Sequence, residues 1–114
     1  MKITLDNAIH YTWGDGCDGW FLLKSPGLTV IQEKMPPGTE EKLHYHNKTQ
    51  QLFYILSGMA TIIIDDNEYR VAPGEGFHIP PGKKHRIRNR EESDLHFIVI
   101  SEPESHGDRI NAED

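Results

Sequence analysis

The chain reads as an all-β protein of the antiparallel sandwich or barrel kind. Three observations say so. Glycine and proline, 17 of the 114 residues, recur as punctuation at Ser25-Pro26-Gly27, Pro36-Pro37-Gly38, Ser57-Gly58, Pro73-Gly74 and Pro80-Pro81-Gly82. Between these marks lie short runs rich in β-branched and aromatic residues, at roughly the eight-to-twelve-residue spacing of strands joined by turns. No stretch of helical length repeats its apolar residues every 3.6 positions.

Residues 1–27 set Trp13, Trp20 and Phe21 among polar residues and glycines, and are expected to form edge strands or an arm docked on the barrel. The barrel domain is expected over 28–101, with strands at 28–34, 51–56, 60–65, 68–71, 84–88 and 95–101. Asp65-Asp66-Asn67 tolerates positive φ and predicts a tight hairpin between two of them. In the strand that begins at Gln51, one alternate set can line an interior while Leu52, Tyr54 and Leu56 face the other way. An outer apolar row needs cover, from a second sheet or a second copy, and a homodimer is the expectation. The polar segment 102–114 is expected to be a less ordered tail.

Composition narrows the partners. Asp and Glu number 18 against 12 Lys and Arg, for a formal charge of −6, which disfavours the phosphate contacts of nucleic-acid binding. The longest apolar runs, such as Ala60-Thr61-Ile62-Ile63-Ile64, fall far short of the ~20 residues of a membrane helix. No basic-then-apolar leader is apparent before Asn7, and the single cysteine, Cys17, suits a reducing compartment, so a cytoplasmic protein is expected.

The chemistry lies in the histidines. His44 and His46 are two apart on an expected strand and project to one face, fixing two adjacent coordination positions at little entropic cost. Gln51 opens the next strand and can reach the same interior, and His85 follows the Pro80-Pro81-Gly82 turn. Three imidazoles and one amide oxygen form a first shell for a single divalent transition metal; Mn, Fe, Co, Ni and Zn all accept such donors.

Two segments carry a resemblance. Gly38 through His44, His46, Gln51 and Gly58 resembles the first cupin motif, G-x5-H-x-H-x4-E-x6-G, with Gln51 where the family usually has glutamate. Gly74 through Pro80, Gly82, His85 and Asn89 is similar to the second motif, G-x5-P-x-G-x2-H-x3-N, at every defined position. The resemblance implies a small double-stranded β-helix, the jelly-roll cupin barrel, binding one metal through His44, His46, Gln51 and His85. Phe53 and Ile55 share the face of Gln51 and are expected to line the pocket. The family hosts isomerases, lyases, dioxygenases, decarboxylases, storage proteins and sensors, so the resemblance specifies fold before reaction.

Glutamine in place of glutamate raises the net charge of a divalent first shell from about +1 to about +2. That disfavours a trivalent state and favours an anionic ligand or a developing enolate. The expectation is Lewis-acid chemistry, such as isomerisation, elimination or ring opening, on a small anionic metabolite such as a sugar acid. Some small cupins that linearise unsaturated uronates are similar in having glutamine here. A metal-dependent dioxygenase and a non-catalytic ligand-binding cupin are the alternatives.

Two further residues are candidates. His96 enters the barrel, and could transfer protons, if Leu95 and Phe97 pack outward; in the opposite arrangement it faces solvent. Asp108-Arg109 in the tail could fold over the mouth, where Arg109 would bind a substrate carboxylate through its planar fork. The strip Lys83, Lys84, Arg86, Arg88 and Arg90 reads as a solvated strand face, with anion attraction near His85 as the other reading.

Overall fold

A computed structural model describes residues 1–112. Eleven strands appear in chain order: β1 (Ile9–Trp13), β2 (Cys17–Lys24), β3 (Thr29–Met35), β4 (His44–His46), β5 (Gln50–Ser57), β6 (Ala60–Ile64), β7 (Asn67–Val71), β8 (Gly76–Ile79), β9 (His85–Arg88), β10 (Leu95–Glu102) and β11 (Arg109–Asn111). They form a six-stranded sheet, β1-β2-β3-β10-β5-β8, and a five-stranded sheet, β11-β4-β9-β6-β7. Every strand pairing is antiparallel. No helix among the described residues is long and apolar enough to cross a membrane.

Local sequence explains the turns. Asp65 and Asp66 take φ of 50° and 65° between β6 and β7, the two-residue loop that matches the twist of a hairpin. Gly58, at φ 84°, turns β5 into β6 where a Cβ would meet the Asp94 carbonyl at 2.6 Å, so no other residue fits without displacing backbone.

The core lies between the sheets. Met35, Phe53, Ile55, Ile62, Ile79, Ile87, Leu95, Phe97 and Val99 are its main side chains. Burying each contributes about 1.5–3 kcal/mol. In β10 the residues Leu95, Phe97, Val99 and Ser101 point inward, and His96, Ile98 and Ile100 are half-buried on the outer face. His96 is therefore corrected to the outer face. Leu95 and Phe97 are both fully buried, and a strand side chain between two inward neighbours must point away from them.

The C-terminal segment is also more ordered than its polarity suggests. β11 pairs with β4 in the register Arg109↔His46, Ile110↔Tyr45, Asn111↔His44. The physical reason lies in the loop after β4, whose backbone donors need acceptors. The Asp108 carboxylate accepts from the N–H groups of Asn47, Lys48 and Thr49 at 3.3, 2.9 and 3.0 Å. Residues 113 and 114 of the expected tail lie outside the described residues.

Candidate metal centre

β4 and β9 set the histidines. His44 pairs directly with His85 across them, and His46 lies one pleat along on the same face. All three are buried, and one ring nitrogen from each lies within 4.8 Å of the others. Their orientation is fixed from behind. His44 Nδ1 contacts the Lys42 carbonyl at 2.7 Å, His85 Nδ1 that of Lys83 at 2.8 Å, and His46 Nδ1 that of Asp108 at 3.3 Å. Each carbonyl accepts a proton held on Nδ1, which leaves the Nε2 lone pairs for the cluster.

Gln51 completes the set from β5. Its Nε2 donates to Ser101 Oγ at 2.9 Å, which turns Oε1 toward His85 Nε2, 3.2 Å away. Ser101 sits opposite Gln51 in the β5–β10 register, so the sheet itself places the residue that orients the amide.

These groups fit a metal. Among the described residues His46 Nε2 is buried with no hydrogen-bond partner, an arrangement that costs free energy unless something fills it. Ligands about 2.1 Å from a common ion lie at most roughly 4.2 Å apart, so the cluster closes on an ion with small side-chain movements. Protonation does not compete at neutral pH. Burial, and then the neighbouring imidazole of His85 and the Arg109 charge, lower His44 to about 3. Burial likewise lowers His85 to about 4 and lowers His46.

The cluster opens on a cavity of about 370 Å³. His44, His46, Gln51 and Phe53 line it, while His85, 1% exposed, completes the cluster without facing the space. Arg109 reaches the cavity from β11, beside Ser105, His106 and Gly107. Ile55 does not line it. Paired with Phe97 and fully buried, it belongs to the core beneath Phe53, whose ring lies 5.6 Å from that of Phe97 and closes the floor. His96 is absent from the cavity for the reason given above.

Sequence reasoning missed Tyr11, Glu33, Glu41 and Ser101, all of which face the cavity. One signal was readable for Glu33: it interrupts the inward row Thr29, Ile31, Met35 with a charge. Glu41 lies in a loop, where no period reveals direction.

The cupin domain family matches residues 31–101, both motifs included. The chain belongs to the cupin family. An uncharacterized protein of Methanocaldococcus jannaschii is 32% identical over 88 residues, covering 76% of this chain and 70% of that relative. The chain spans about half the length of other curated relatives that it matches. Among solved structures, a predicted oxalate decarboxylase of Thermotoga maritima superposes with a TM-score of 0.83 at 19% identity, covering 91% of this chain and all of that one. A sugar phosphate isomerase of the cupin superfamily from Silicibacter pomeroyi gives 0.78 at 22% identity, covering 90% of this cupin and 75% of that chain. At these identities the likeness shows the fold.

Proposed function

We propose that this cupin holds one divalent transition metal on His44, His46, His85 and Gln51 and carries out Lewis-acid chemistry, without change of oxidation state, on a small anionic metabolite such as a sugar acid. The observation that carries the reading is the buried neutral donor set: three imidazoles held by backbone carbonyls and an amide oxygen aimed by Ser101. When bound, the metal supplies a positive centre that polarises a carbonyl or carboxylate oxygen. Four uncharged ligands leave its charge undiminished for an anion. The solved structures of like fold that are named for oxalate and for sugar phosphate agree with a small anionic substrate.

The chain's own residues divide the remaining work. Arg109 holds the anionic end of the substrate at the mouth through its guanidinium fork. Phe53, Ile31, Val99 and Trp13 supply apolar wall that limits water. A second copy covers the outer row of Leu52, Tyr54 and Leu56, each 39–42% exposed in the single chain. The buried free thiol of Cys17 suits a cytoplasmic setting.

Metal analysis of protein purified without added metal tests the reading. The wild type carries one divalent ion per chain, and His44→Ala or His85→Ala loses most of it while keeping a β-sheet circular dichroism spectrum. Failure to retain Mn, Fe, Co, Ni or Zn ions at saturation overturns the proposal. Oxygen uptake specific to the iron-loaded form shifts it to the dioxygenase alternative.

A further inference from the structure

The cavity is also lined by a second group of polar side chains that the metal site does not use. Tyr11 on β1, Gly19 on β2 and Glu33 on β3 are consecutive partners across three strands. A Cβ on residue 19 would collide with the Tyr11 ring, so the missing side chain lets the phenol lie across β2. Its hydroxyl donates to Glu33 Oε2 at 2.8 Å. Glu41, in the loop before β4, lines the same cavity, and its Oε1 accepts from the Ile87 N–H at 3.1 Å. His46, 3% exposed and with an Nε2 that has no hydrogen-bond partner among the described residues, lines the same cavity, so a ligand held there shares the space with both carboxyls.

We infer that Glu33 and Glu41 are the proton-transfer pair of this pocket, Glu33 as base and Glu41 as acid, acting on a carbon next to the carbonyl or carboxylate of a metal-held substrate. The inference rests on the Lewis-acid reading above. In the step, the C–H bond α to that carbonyl breaks, the proton passes to the Glu33 carboxylate, and the electron pair stays on the substrate as an enolate. Glu41 gives its proton to the enolate oxygen, leaving the neutral enol, and reversal returns a solvent-derived proton to the carbon. Proton exchange with solvent then restores both groups, and nothing is oxidised or reduced.

The environments separate the roles. The hydroxyl of Tyr11 stabilises the ionised form of Glu33, whereas Glu41 has one backbone donor and the Glu33 charge nearby. Burial, offset by Tyr11 and Arg109, brings Glu33 up to about 7. Burial brings Glu41 up to about 8, against the pull of Arg109 and with a push from Glu33. Burial and the Glu33 charge raise the Tyr11 phenol, so it remains a donor. His44 and His46 from β4, His106 from the segment before β11 and Arg109 itself are the other titratable groups on this cavity. Two cavity-lining carboxyls raised to about 7 and about 8 suit proton exchange near physiological pH, with Glu33 the more readily ionised of the two.

Deuterium wash-in tests the pair. Protein loaded with Zn²⁺ is incubated in D₂O with pyruvate or 2-oxoglutarate, and loss of the C3 proton signals is followed by NMR. Wild type exchanges them, and Glu33→Gln and Glu41→Gln, with zinc content unchanged, are each slowed by about 100-fold or more. A second readout needs no turnover. In metal-free protein with ¹³C-labelled glutamate carboxyls, two signals titrate near neutrality, each disappears in its own Gln variant, and Tyr11→Phe moves the Glu33 midpoint upward. Exchange that is lost in His85→Ala but wild-type in both Gln variants overturns the inference and leaves the metal reading standing. So do Glu33 and Glu41 signals that titrate with the surface glutamates. No exchange in zinc-loaded wild type also overturns the inference, while the metal content measured on the same protein decides whether the metal reading stands.

Discussion

An amide at position 51 decides how much charge the site keeps. Gln51→Glu retains the metal, because carboxylate is the stronger donor, but cancels one unit of positive charge beside the cavity. Oxalate binding to the metal-loaded variant, measured by calorimetry, weakens by about tenfold, the equivalent of roughly 1.4 kcal/mol; tighter binding overturns the charge argument. Glu41 makes a second prediction through pH. Its carboxyl ionises at about 8 in the folded metal-free chain against an ordinary 4.5, so the folded state holds the proton longer. Stability from this group is fully present below pH 4.5 and is lost as pH rises through 8. Glu41→Gln removes that slope. Between pH 5 and pH 9 the melting temperature of wild type falls relative to the variant by about 5 °C or more.

At the scale of strands, most of the pattern was legible because turns and alternation are local. The Asp65-Asp66 hairpin and the glycine after β5 follow from which residues tolerate positive φ. What sequence left open was direction. His96 sits in β10 with apolar residues on both sides, and only pairing with β3 and β5 shows that Leu95 and Phe97 take the interior. β11 escaped because its polar residues carry no strand signal of their own; Asp108 and the edge of β4 create it. The basic strip resolves as a paired surface: Lys83 meets Asp65 at 3.0 Å, Arg88 meets Glu40 at 2.6 Å and Arg90 meets Glu68 at 2.6 Å. Asp108→Ala removes the acceptor shared by three loop N–H groups. Amide hydrogen exchange at residues 109–111 then accelerates by at least about tenfold, while the β5–β10 pairing keeps its protection.

For the whole molecule, the two motifs announced the histidines and the glutamine, since each sits at a fixed offset from a turn glycine. Tyr11, Glu33 and Ser101 were invisible because they come from three distant stretches that only the sheet brings to one cavity, whereas Arg109 is already expected at the mouth from the sequence. The outer face of the six-stranded sheet makes a prediction at this scale. Tyr54→Lys, in the middle of the exposed row on β5, places a charge where a second copy would pack. Sedimentation equilibrium shows a dimer for wild type and a monomer with intact metal content for the variant; a monomeric wild type removes the pairing proposal. One aspartate, finally, ties distant ends of the design together. Asp108 grips the loop ahead of Gln51 with its carboxylate and steadies the ring of His46 with its carbonyl, while the next residue carries the guanidinium into the cavity. A cation held on the imidazoles would therefore share its anchor with the docked C-terminal strand, and the latch and the grip on the cation would tighten or loosen together.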